Sequence, residues 1–340
     1  MGWYDENKRD FPWRKTLNPY KVWLSEIILQ QTRIAQGKPY YHRFVSKYPS
    51  VLDLANAPEE DVLKLWQGLG YYSRARNLLN SAKWVAEQNG GKFPNNYKDL
   101  LKLKGVGDYT ASAISSICFG EKQAVVDGNV YRFLSRFFGI DTPIDHSSAH
   151  RIFKAKATEL MQKESPGDFN QALMEFGALQ CTPKKTLCSS CPFSSKCFAY
   201  QQGKVALYPF KSKRVKIKSR YFNYLVIKTP LGKTLIHQRK GKDIWQNLFE
   251  FPLIECNENV SQDLLLESLA LSDWEFGAVK KIDSLVSKPI KHLLTHQHLY
   301  IQFWSLELEE EHPDAISQDQ LNKLAVPIVI QDFIEKYCCG

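Results

Sequence analysis

Four closely spaced cysteines constrain the fold of this chain more than any other feature. They have the spacing C-x6-C-x2-C-x5-C, at Cys181, Cys188, Cys191 and Cys197. Four thiolates at such separations can surround one metal ion or cluster, whose role is then expected to be structural because no coordination position stays open. The spacing leaves zinc and iron–sulfur open, although structural zinc usually has two short cysteine knuckles and this segment has one.

The N-terminal sequence and the hydropathy give no sign of export or of membrane insertion. The first residues, MGWYDENKRDFPWR, are polar and mixed in charge, and no run of eighteen or more apolar residues occurs. A signal peptide or a membrane span is therefore not expected. A cytoplasmic or nuclear protein with clustered cysteines is expected to use them for metal rather than for disulfides.

The chain is longer than one domain of ordinary size and carries an excess of positive charge. Its 340 residues have a formal net charge of +9, which favours polyanions such as nucleic acid without establishing them. Residues 20 to about 200 read mostly as helices, so the first domain is predicted to be mainly α. The apolar residues at helical spacing include Leu78, Leu79, Ala82, Val85, Ala113, Ile114, Ile117, Val130, Phe133, Leu134, Phe137 and Phe138.

The character of the sequence changes after residue 207. LYPFKSKRVKIKSR carries six cations from Lys211 to Arg220 and predicts a basic linker over residues 208–220. RYFNYLVIK, TLIHQR and HLYIQFWSLELE predict strands, TPLGKT predicts a hairpin turn between the first two, and QDLLLESLA and PIVIQDFIEKY predict helices. We therefore expect an α domain over residues 1–207, which includes the cysteine loop 181–197, and an α+β domain over residues 221–340.

A glycine turn in LKLKGVGDYTASAI lies between two helical patterns. Gly105, Val106 and Gly107 form this turn, and glycines let a backbone approach a ligand closely. The N–H groups of such a turn and of the helix that follows suit a phosphate. With the positive net charge, a DNA phosphate is the predicted ligand, although a tight corner between two helices would use the same residues.

Two carboxylates are candidates for acid–base chemistry. Glu26 lies in the mostly apolar stretch KVWLSEIILQQT, where burial would raise its pKa and make it a general acid. Asp127 and Asn129 precede the periodic helix of AVVDGNVYRFLSRFF, where an N-cap is the ordinary use of such residues. The ordinary explanation of Glu26 is that it forms a narrow polar stripe on its helix with Gln30 and Arg33. Neither motif therefore decides the function alone.

Together the motifs resemble those of the helix–hairpin–helix DNA glycosylases, most closely the adenine DNA glycosylases of the MutY type. PYKVWLSEIILQQTR, GLGYYSRARNL, LKGVGDYTASAI, AVVDGNVYRFLSR, FNQALMEFGALQCTP and the four cysteines follow the family's order between residue 3 and about residue 208. The resemblance implies a [4Fe–4S] cluster on the four cysteines. It also implies base excision repair, by a monomer, of double-stranded DNA with adenine opposite 8-oxoguanine or guanine. The compact length favours a bacterial enzyme, so a cytoplasmic, nucleoid-associated protein is expected.

The resemblance also implies roles for individual residues. Glu26 corresponds to the proton donor to adenine N7, and Asp127, with Asn129 beside it, to the aspartate that stabilises the sugar cation. Such a pair of carboxylates in opposite protonation states is also the scheme of glycosidases. Arg14 and Leu29 correspond to positions near the adenine pocket, and Gln31 to a contact with bases near the lesion. Tyr71 corresponds to a residue that is wedged into the duplex next to 8-oxoguanine.

One position separates two enzyme classes within this resemblance. Bifunctional relatives of the endonuclease III type carry a lysine two residues after the second glycine of the hairpin, and its amine forms a Schiff base that leads to strand cleavage. This chain has Tyr109 there. A phenol cannot form a Schiff base, so base excision without lyase activity is predicted, with Tyr109 counted among the catalytic positions.

The C-terminal domain resembles the Nudix-like lesion-recognition module of the same family. The hydrolase box R-E-x-x-E-E is missing after FEFPLIECNENV, so nucleotide hydrolysis is not expected. The family's lesion-reading loop commonly has Phe-Ser-His, and here Leu294, Thr295 and His296 keep the hydroxyl but not the aromatic ring. Thr295 and His296 are the predicted contacts, with a plain strand entry as the ordinary alternative.

Three other functions are alternatives to this prediction. The first is an endonuclease III-like glycosylase with lyase activity, which Tyr109 and the additional domain oppose. The second is a non-catalytic iron–sulfur protein that binds DNA, which Glu26 and Asp127 in their motifs oppose. The third is a Nudix hydrolase with a DNA anchor, which the missing box opposes.

Overall fold

The computed structural model describes residues 1–161, 165–212, 217–272, 274 and 276–337. Contacts divide the chain into two compact units, Met1–Ala57 with Asn77–Lys213 and Pro58–Arg76 with Arg214–Gly340. Residues 58–76 therefore pack with the second unit, although the sequence places them within the helical domain. The centre of the predicted linker, residues 213–216, lies outside the described residues, as do Cys338 and Cys339.

The first unit is built from helices, which confirms the prediction of a mainly α domain. Short 3-10 turns lie at Pro12–Arg14, Ser194–Lys196 and Val205–Leu207. No helix in the described part of the chain is long and apolar enough to cross a bilayer. In chain order, the helices of both units are α1 (Gly2–Asn7), α2 (Pro19–Leu29), α3 (Ile34–Lys47), α4 (Val51–Ala55), α5 (Glu59–Trp66), α6 (Ser73–Asn89), α7 (Tyr97–Leu100), α8 (Asp108–Phe119), α9 (Gly128–Phe138), α10 (Ala149–Leu160), α11 (Pro166–Leu179), α12 (Phe198–Gln201), α13 (Gln262–Ala270), α14 (Gln318–Lys323) and α15 (Ile328–Tyr337).

Local sequence explains where the helices that carry the candidate residues begin and end. Asn18 caps α2 by accepting from two backbone N–H groups of the first turn, and Pro19 occupies the first helical position, where no N–H is needed. α8 and α9 end at Gly120 and Gly139, whose φ values of 67° and 69° are left-handed. Glycine adopts this conformation without the steric cost of a Cβ.

The apolar faces predicted for these helices form much of the interior of the first unit. Phe133 and Phe137 are only partly buried and pack against Phe176 and Phe193 in an aromatic cluster. The predicted positions that are at most 1 % exposed are Leu78, Leu79, Ala82, Val85, Ala113, Ile114, Val130 and Leu134.

The second unit holds a five-stranded sheet and a two-stranded ribbon. In the large sheet the order is β4-β1-β7-β5, with β6 also paired to β7, and in the ribbon β2 pairs with β3. β1 and β7 run parallel, from Lys218 opposite Gln297 to Lys228 opposite Glu307. The strands are β1 (Lys218–Lys228), β2 (His237–Gln238), β3 (Phe249–Glu250), β4 (Leu253–Cys256), β5 (Val279–Ser284), β6 (Ile290–Leu293) and β7 (Gln297–Leu308).

Two details of the second unit differ from the sequence prediction. The turn in TPLGKT forms, with the Thr229 N–H donating to Lys233 O at 3.1 Å, but it does not join a hairpin. β1 pairs with β4 and β7, while TLIHQR contributes only the short β2. The hairpin prediction is wrong because β1 is buried on both faces, so distant strands compete for it successfully. β1 also begins at Lys218, so the last three residues of the predicted linker belong to this strand.

Candidate functional site

Glu26 lies on α2 among side chains that are almost entirely removed from water. Trp23, Leu24, Ile27 and Ile28 are each at most 2 % exposed, while Glu26 itself is half-buried. Desolvation penalises the carboxylate and raises the pKa of Glu26 to about 7. Near neutral pH a large share of Glu26 is therefore protonated, as a general acid must be.

Side chains from three other segments also act on Glu26. After burial, a hydrogen bond from Tyr109 lowers the pKa of Glu26, the charge of Asp127 raises it, and Arg14 lowers it. Tyr109 lies in the first turn of α8, and its hydroxyl oxygen lies 3.5 Å from Met174 Sδ. Burial and the two carboxylates raise the pKa of Tyr109 well above its ordinary value, so it stays a neutral donor. The fold thus brings four of the predicted site residues together.

Asp127 is the N-cap of α9, as the spacing predicts. Its Oδ1 accepts from the backbone N–H groups of Asn129 at 2.9 Å and Val130 at 2.8 Å, and its Oδ2 accepts from Asn129 Nδ2 at 2.7 Å. Burial raises the pKa of Asp127, while these hydrogen bonds and Arg132 oppose the rise. The cap fixes the orientation of the carboxylate and leaves it at a helix N-terminus, which favours the anion.

A buried ion-pair cluster that the sequence did not predict supports this site. Glu175 on α11 is 1 % exposed and accepts from Arg9 Nη2 at 2.7 Å and from Arg14 Nη2 at 2.9 Å. Burial alone would raise the pKa of Glu175, but the two guanidinium groups outweigh it and lower that pKa to about 2. Arg14 also donates to Gln171 Oε1 at 2.9 Å. The feature of the sequence that could have revealed this cluster is the carboxylate of Glu175 within the mostly apolar helix motif FNQALMEFGALQ.

Two buried arginines of α9 connect the Asp127 end of the helix to the cysteine loop. Arg132 donates from Nη2 to Asn129 Oδ1 at 2.8 Å and from Nε to Cys181 O at 2.6 Å. One turn later, Arg136 donates from Nη1 to Cys181 Sγ at 3.4 Å and to Thr182 O at 2.8 Å. The sequence did not single out either arginine, although two cations one turn apart on an otherwise apolar helix were the available signal.

The predicted metal ligands line one small cavity beside α9. They are free thiols, and Cys191 interacts electrostatically with the other three, so the donors share one neighbourhood. No three His, Cys, Asp or Glu side chains in the described ranges form a preassembled metal-binding group. The cavity therefore has the donor atoms of a four-thiolate metal site, but the thiols are not already arranged as metal ligands. The cysteines are Cys181, Cys188, Cys191 and Cys197.

The hairpin predicted to bind phosphate connects α7 and α8. Gly105 is left-handed with φ 77°, and a Cβ there would lie 2.9 Å from Asn77 Cβ, so its conformation and its contact with α6 both require glycine. Val106 is 6 % exposed and anchors the turn, while Gly107 is the N-cap of α8 with open space beside it. The first N–H groups of α8 have no acceptor within the helix, which is the arrangement that binds phosphate elsewhere.

Leu29 and Gln31 lie at the C-terminal end of α2. Leu29 is half-buried, whereas Gln31 is exposed and left-handed with φ 54°. Between them, Gln30 donates to Gly105 O at 3.5 Å and to Thr110 Oγ1 at 3.3 Å, which joins α2 to the hairpin. A left-handed glutamine is uncommon, and such residues concentrate at functional sites.

Two residues predicted to read the lesion meet in the second unit. Tyr71 and Thr295, 224 positions apart in the chain, share a hydrogen bond between their hydroxyl groups. Tyr71 is 45 % exposed and left-handed with φ 49°. Thr295 and His296 are exposed in the turn between β6 and β7, and His296 O accepts from Lys218 N at 3.0 Å.

Known proteins resemble both parts of the chain. A family model described as HhH-GPD superfamily base excision DNA repair protein matches residues 24–159, and a NUDIX domain model matches residues 223–336. An adenine DNA glycosylase of Arabidopsis thaliana is 39 % identical over 91 % of this chain, which spans 56 % of the plant protein. An adenine DNA glycosylase of Buchnera aphidicola subsp. Schizaphis graminum is also 39 % identical, over 74 % of this chain and 73 % of that protein. A solved thermostable thymine-DNA glycosylase has 34 % identity and a TM-score of 0.55, over 59 % of this chain and 93 % of its own.

Proposed function

The chain belongs to the adenine DNA glycosylase family, and we propose that it hydrolyses the N-glycosidic bond of adenine paired with 8-oxoguanine or guanine in double-stranded DNA. Relatives named for adenine excision support the choice of base. The observation that carries the chemistry is Glu26, a half-buried carboxyl with a pKa of about 7 that interacts electrostatically with a second carboxylate, Asp127.

The reaction assigns opposite protonation states to these two groups. Adenine leaves poorly as an anion, so protonated Glu26 gives its proton to N7 and the base departs neutral. The sugar then carries positive charge, which the carboxylate of Asp127 stabilises until water adds to it. Burial raises the pKa of Glu26, and Tyr109 and Arg14 both lower it, so that it stays near neutrality. Because adenine is stacked in the duplex, it must be flipped into the site, at a cost of a few kcal/mol.

We assign recognition of the base that pairs with the target adenine to the second unit. Tyr71 and Thr295 support this assignment because they are exposed and hydrogen-bonded to each other, and because Tyr71 is held in an uncommon backbone conformation. His296 lies exposed beside Thr295. The hairpin of Gly105, Val106 and Gly107 would hold a backbone phosphate of the same duplex.

Glycosylases of this kind typically contain iron–sulfur clusters, and we propose a [4Fe–4S] cluster for this chain. The four cysteines of the loop would hold it, and when bound it would cross-link residues 181–197. Burial raises the pKa of Cys181, whereas the nearby guanidinium of Arg136 lowers it and so favours the thiolate that a metal requires. Iron and sulfide analysis of the purified protein tests this proposal, and zinc without iron would contradict it.

A single-turnover assay with a labelled duplex tests the proposed activity. The duplex carries adenine opposite 8-oxoguanine, and each time point is divided into a half treated with hot alkali and an untreated half. We expect strand cleavage only after alkali, because excision leaves an abasic site and Tyr109 cannot form a Schiff base. Cleavage without alkali would contradict the absence of lyase activity, and no cleavage in either half would contradict adenine excision.

A further inference from the structure

Arg220 on β1 uses every donor of its guanidinium group. Nε and Nη2 donate to Glu255 at 2.7 and 2.6 Å, Nη1 and Nη2 donate to Asp243 at 3.0 and 2.8 Å, and Nη1 also donates to Gln297 Oε1 at 3.1 Å. Since a guanidinium has five N–H groups, none is left without an acceptor. Arg220 is 8 % exposed and lies 4.8 Å from the ring centroid of Phe222, so it is a buried cation rather than a solvated one. We call Arg220 and its three hydrogen-bond partners, Glu255, Asp243 and Gln297, the hub.

One arm of this hub, the hydrogen bond from Arg220 to Gln297, reaches the turn that carries Thr295. Gln297 begins β7, and its carbonyl accepts from the Leu294 N–H at 2.8 Å, which closes the turn. The side chain of the same glutamine accepts from Arg220, so the hub fixes the residue on which the turn closes. The Thr295 hydroxyl, at the tip of this turn, is hydrogen-bonded to Tyr71.

The second arm, the ion pair between Arg220 and Asp243, reaches a loop that contains two left-handed residues. Trp245 and Asn247 have φ values of 60° and 66°, which are uncommon for residues with a side chain and persist only where the surroundings hold them. Between them, Gln246 O accepts from Arg76 Nη1 at 2.6 Å. Arg76 follows Tyr71 on the same short segment, so both arms end at the segment that carries Tyr71.

We propose that Arg220 is a positioning residue for recognition of the base opposite adenine. It holds Thr295 through Gln297, and it holds the segment of Tyr71 through Asp243 and the loop that contacts Arg76. The inference rests on the proposed function, in which Tyr71 and Thr295 read that base. Because Arg220 is buried and acts through other side chains, its replacement changes discrimination between opposite bases rather than the excision step itself.

Two variants of this chain interrupt the hub to different degrees. Arg220→Lys keeps the positive charge but replaces a planar fork by a single ammonium group, so it cannot serve three acceptors in fixed directions. Gln297→Leu removes only one arm and leaves the ion pairs in place. Lys228→Met is the matched control, because Lys228 is an exposed cation at the other end of the same strand.

The measurement is the single-turnover rate of adenine excision opposite 8-oxoguanine divided by the rate opposite guanine. We expect this ratio to fall about tenfold in Arg220→Lys and about threefold in Gln297→Leu, as coupled polar contacts usually give, and to stay unchanged in Lys228→Met. A purely structural role would lower both rates in parallel, and circular dichroism with thermal unfolding reports the folded fraction of each variant.

The outcomes separate this inference from the proposed function. If the wild-type protein excises no adenine from either duplex, the proposed function fails. If it excises adenine and prefers 8-oxoguanine, but folded Arg220→Lys and Gln297→Leu keep the wild-type ratio, only the inference is overturned. If Arg220→Lys does not fold, the ratio measured for Gln297→Leu decides the question. If the wild-type protein excises adenine equally fast opposite 8-oxoguanine and opposite guanine, the inference is also overturned.

Discussion

The Glu26 carboxyl titrates close to neutral pH because burial outweighs the hydrogen bond from Tyr109. If the protonated form is the acid that acts on adenine, the single-turnover rate is expected to fall as the pH rises through about 7. Glu26→Gln is expected to lower the rate by about 10²–10⁴-fold, since the amide cannot supply the proton. Glu60→Gln, at an exposed position of α5, is the control and should keep the wild-type profile. Full activity in Glu26→Gln would remove Glu26 from the mechanism.

The same carboxyl predicts how stability depends on pH. Its folded pKa of about 7 lies above its ordinary value of 4.5, so between these values the folded state binds a proton that the unfolded state has released. The stability it contributes is therefore complete below the unfolded pKa and is lost as the pH rises through the folded pKa. Urea unfolding at about pH 5 and about pH 8 should show a larger loss in the wild-type protein than in Glu26→Gln. Equal losses in the two proteins would contradict the raised pKa.

At the scale of elements, α9 begins at a residue with both a structural and a proposed chemical role. Asparagine caps helices about as well as aspartate, so Asp127→Asn should change the free energy of unfolding by less than about 0.5 kcal/mol, whereas Asp127→Ala should cost about 1 kcal/mol. Both variants are expected to lose adenine excision, because neither carries the anion. Chemical unfolding and the single-turnover assay measure the two effects separately. Normal excision by Asp127→Asn would reduce the residue to a cap.

The hairpin between α7 and α8 offers a matched pair of glycines. Gly105→Ala places a Cβ at φ 77° and 2.9 Å from Asn77 Cβ, so we expect a loss of about 1–3 kcal/mol of stability. Gly107→Ala meets open space at an ordinary φ and is expected to fold normally. If the hairpin binds a phosphate, Gly107→Ala should nevertheless weaken duplex binding in a fluorescence anisotropy titration. Unchanged affinity in that folded variant would argue that the hairpin is only a corner.

At the scale of the whole molecule, a short segment from the first part of the sequence packs with the second unit. Lys64 of α5 donates to Asn322 O and Leu324 O, both at 2.9 Å, at the C-terminal end of α14. Lys64→Met removes these contacts and should increase amide hydrogen exchange both in residues 59–72 and in residues 318–326. Lys83→Met, at an exposed position of α6, is the control. An increase confined to residues 59–72 would contradict the docking of this segment.

Features set by neighbouring residues were predictable from the sequence. Asp127 caps α9, and most of the predicted apolar positions of α6, α8 and α9 are buried, because caps and helical periodicity depend on residues only a few positions apart. The fold class followed from the same patterns together with the resemblance, and the four cysteines, which are close in the sequence, all line one cavity. The prediction failed at TPLGKT, since a turn does not specify the partner of the strand that enters it.

Tertiary structure decided what depends on residues far apart in the chain. The pKa of Glu26 reflects burial first and then Tyr109, Asp127 and Arg14, which lie outside α2, and no local pattern encodes these contributions. Arg220 ends the predicted linker and begins the predicted strand RYFNYLVIK, and neither prediction indicated that Asp243, Glu255 and Gln297 converge on its guanidinium group. The sequence thus specified the elements and the chemical groups available. Desolvation and long-range pairing, which are summed over the whole fold, determined the protonation state and the position of each group.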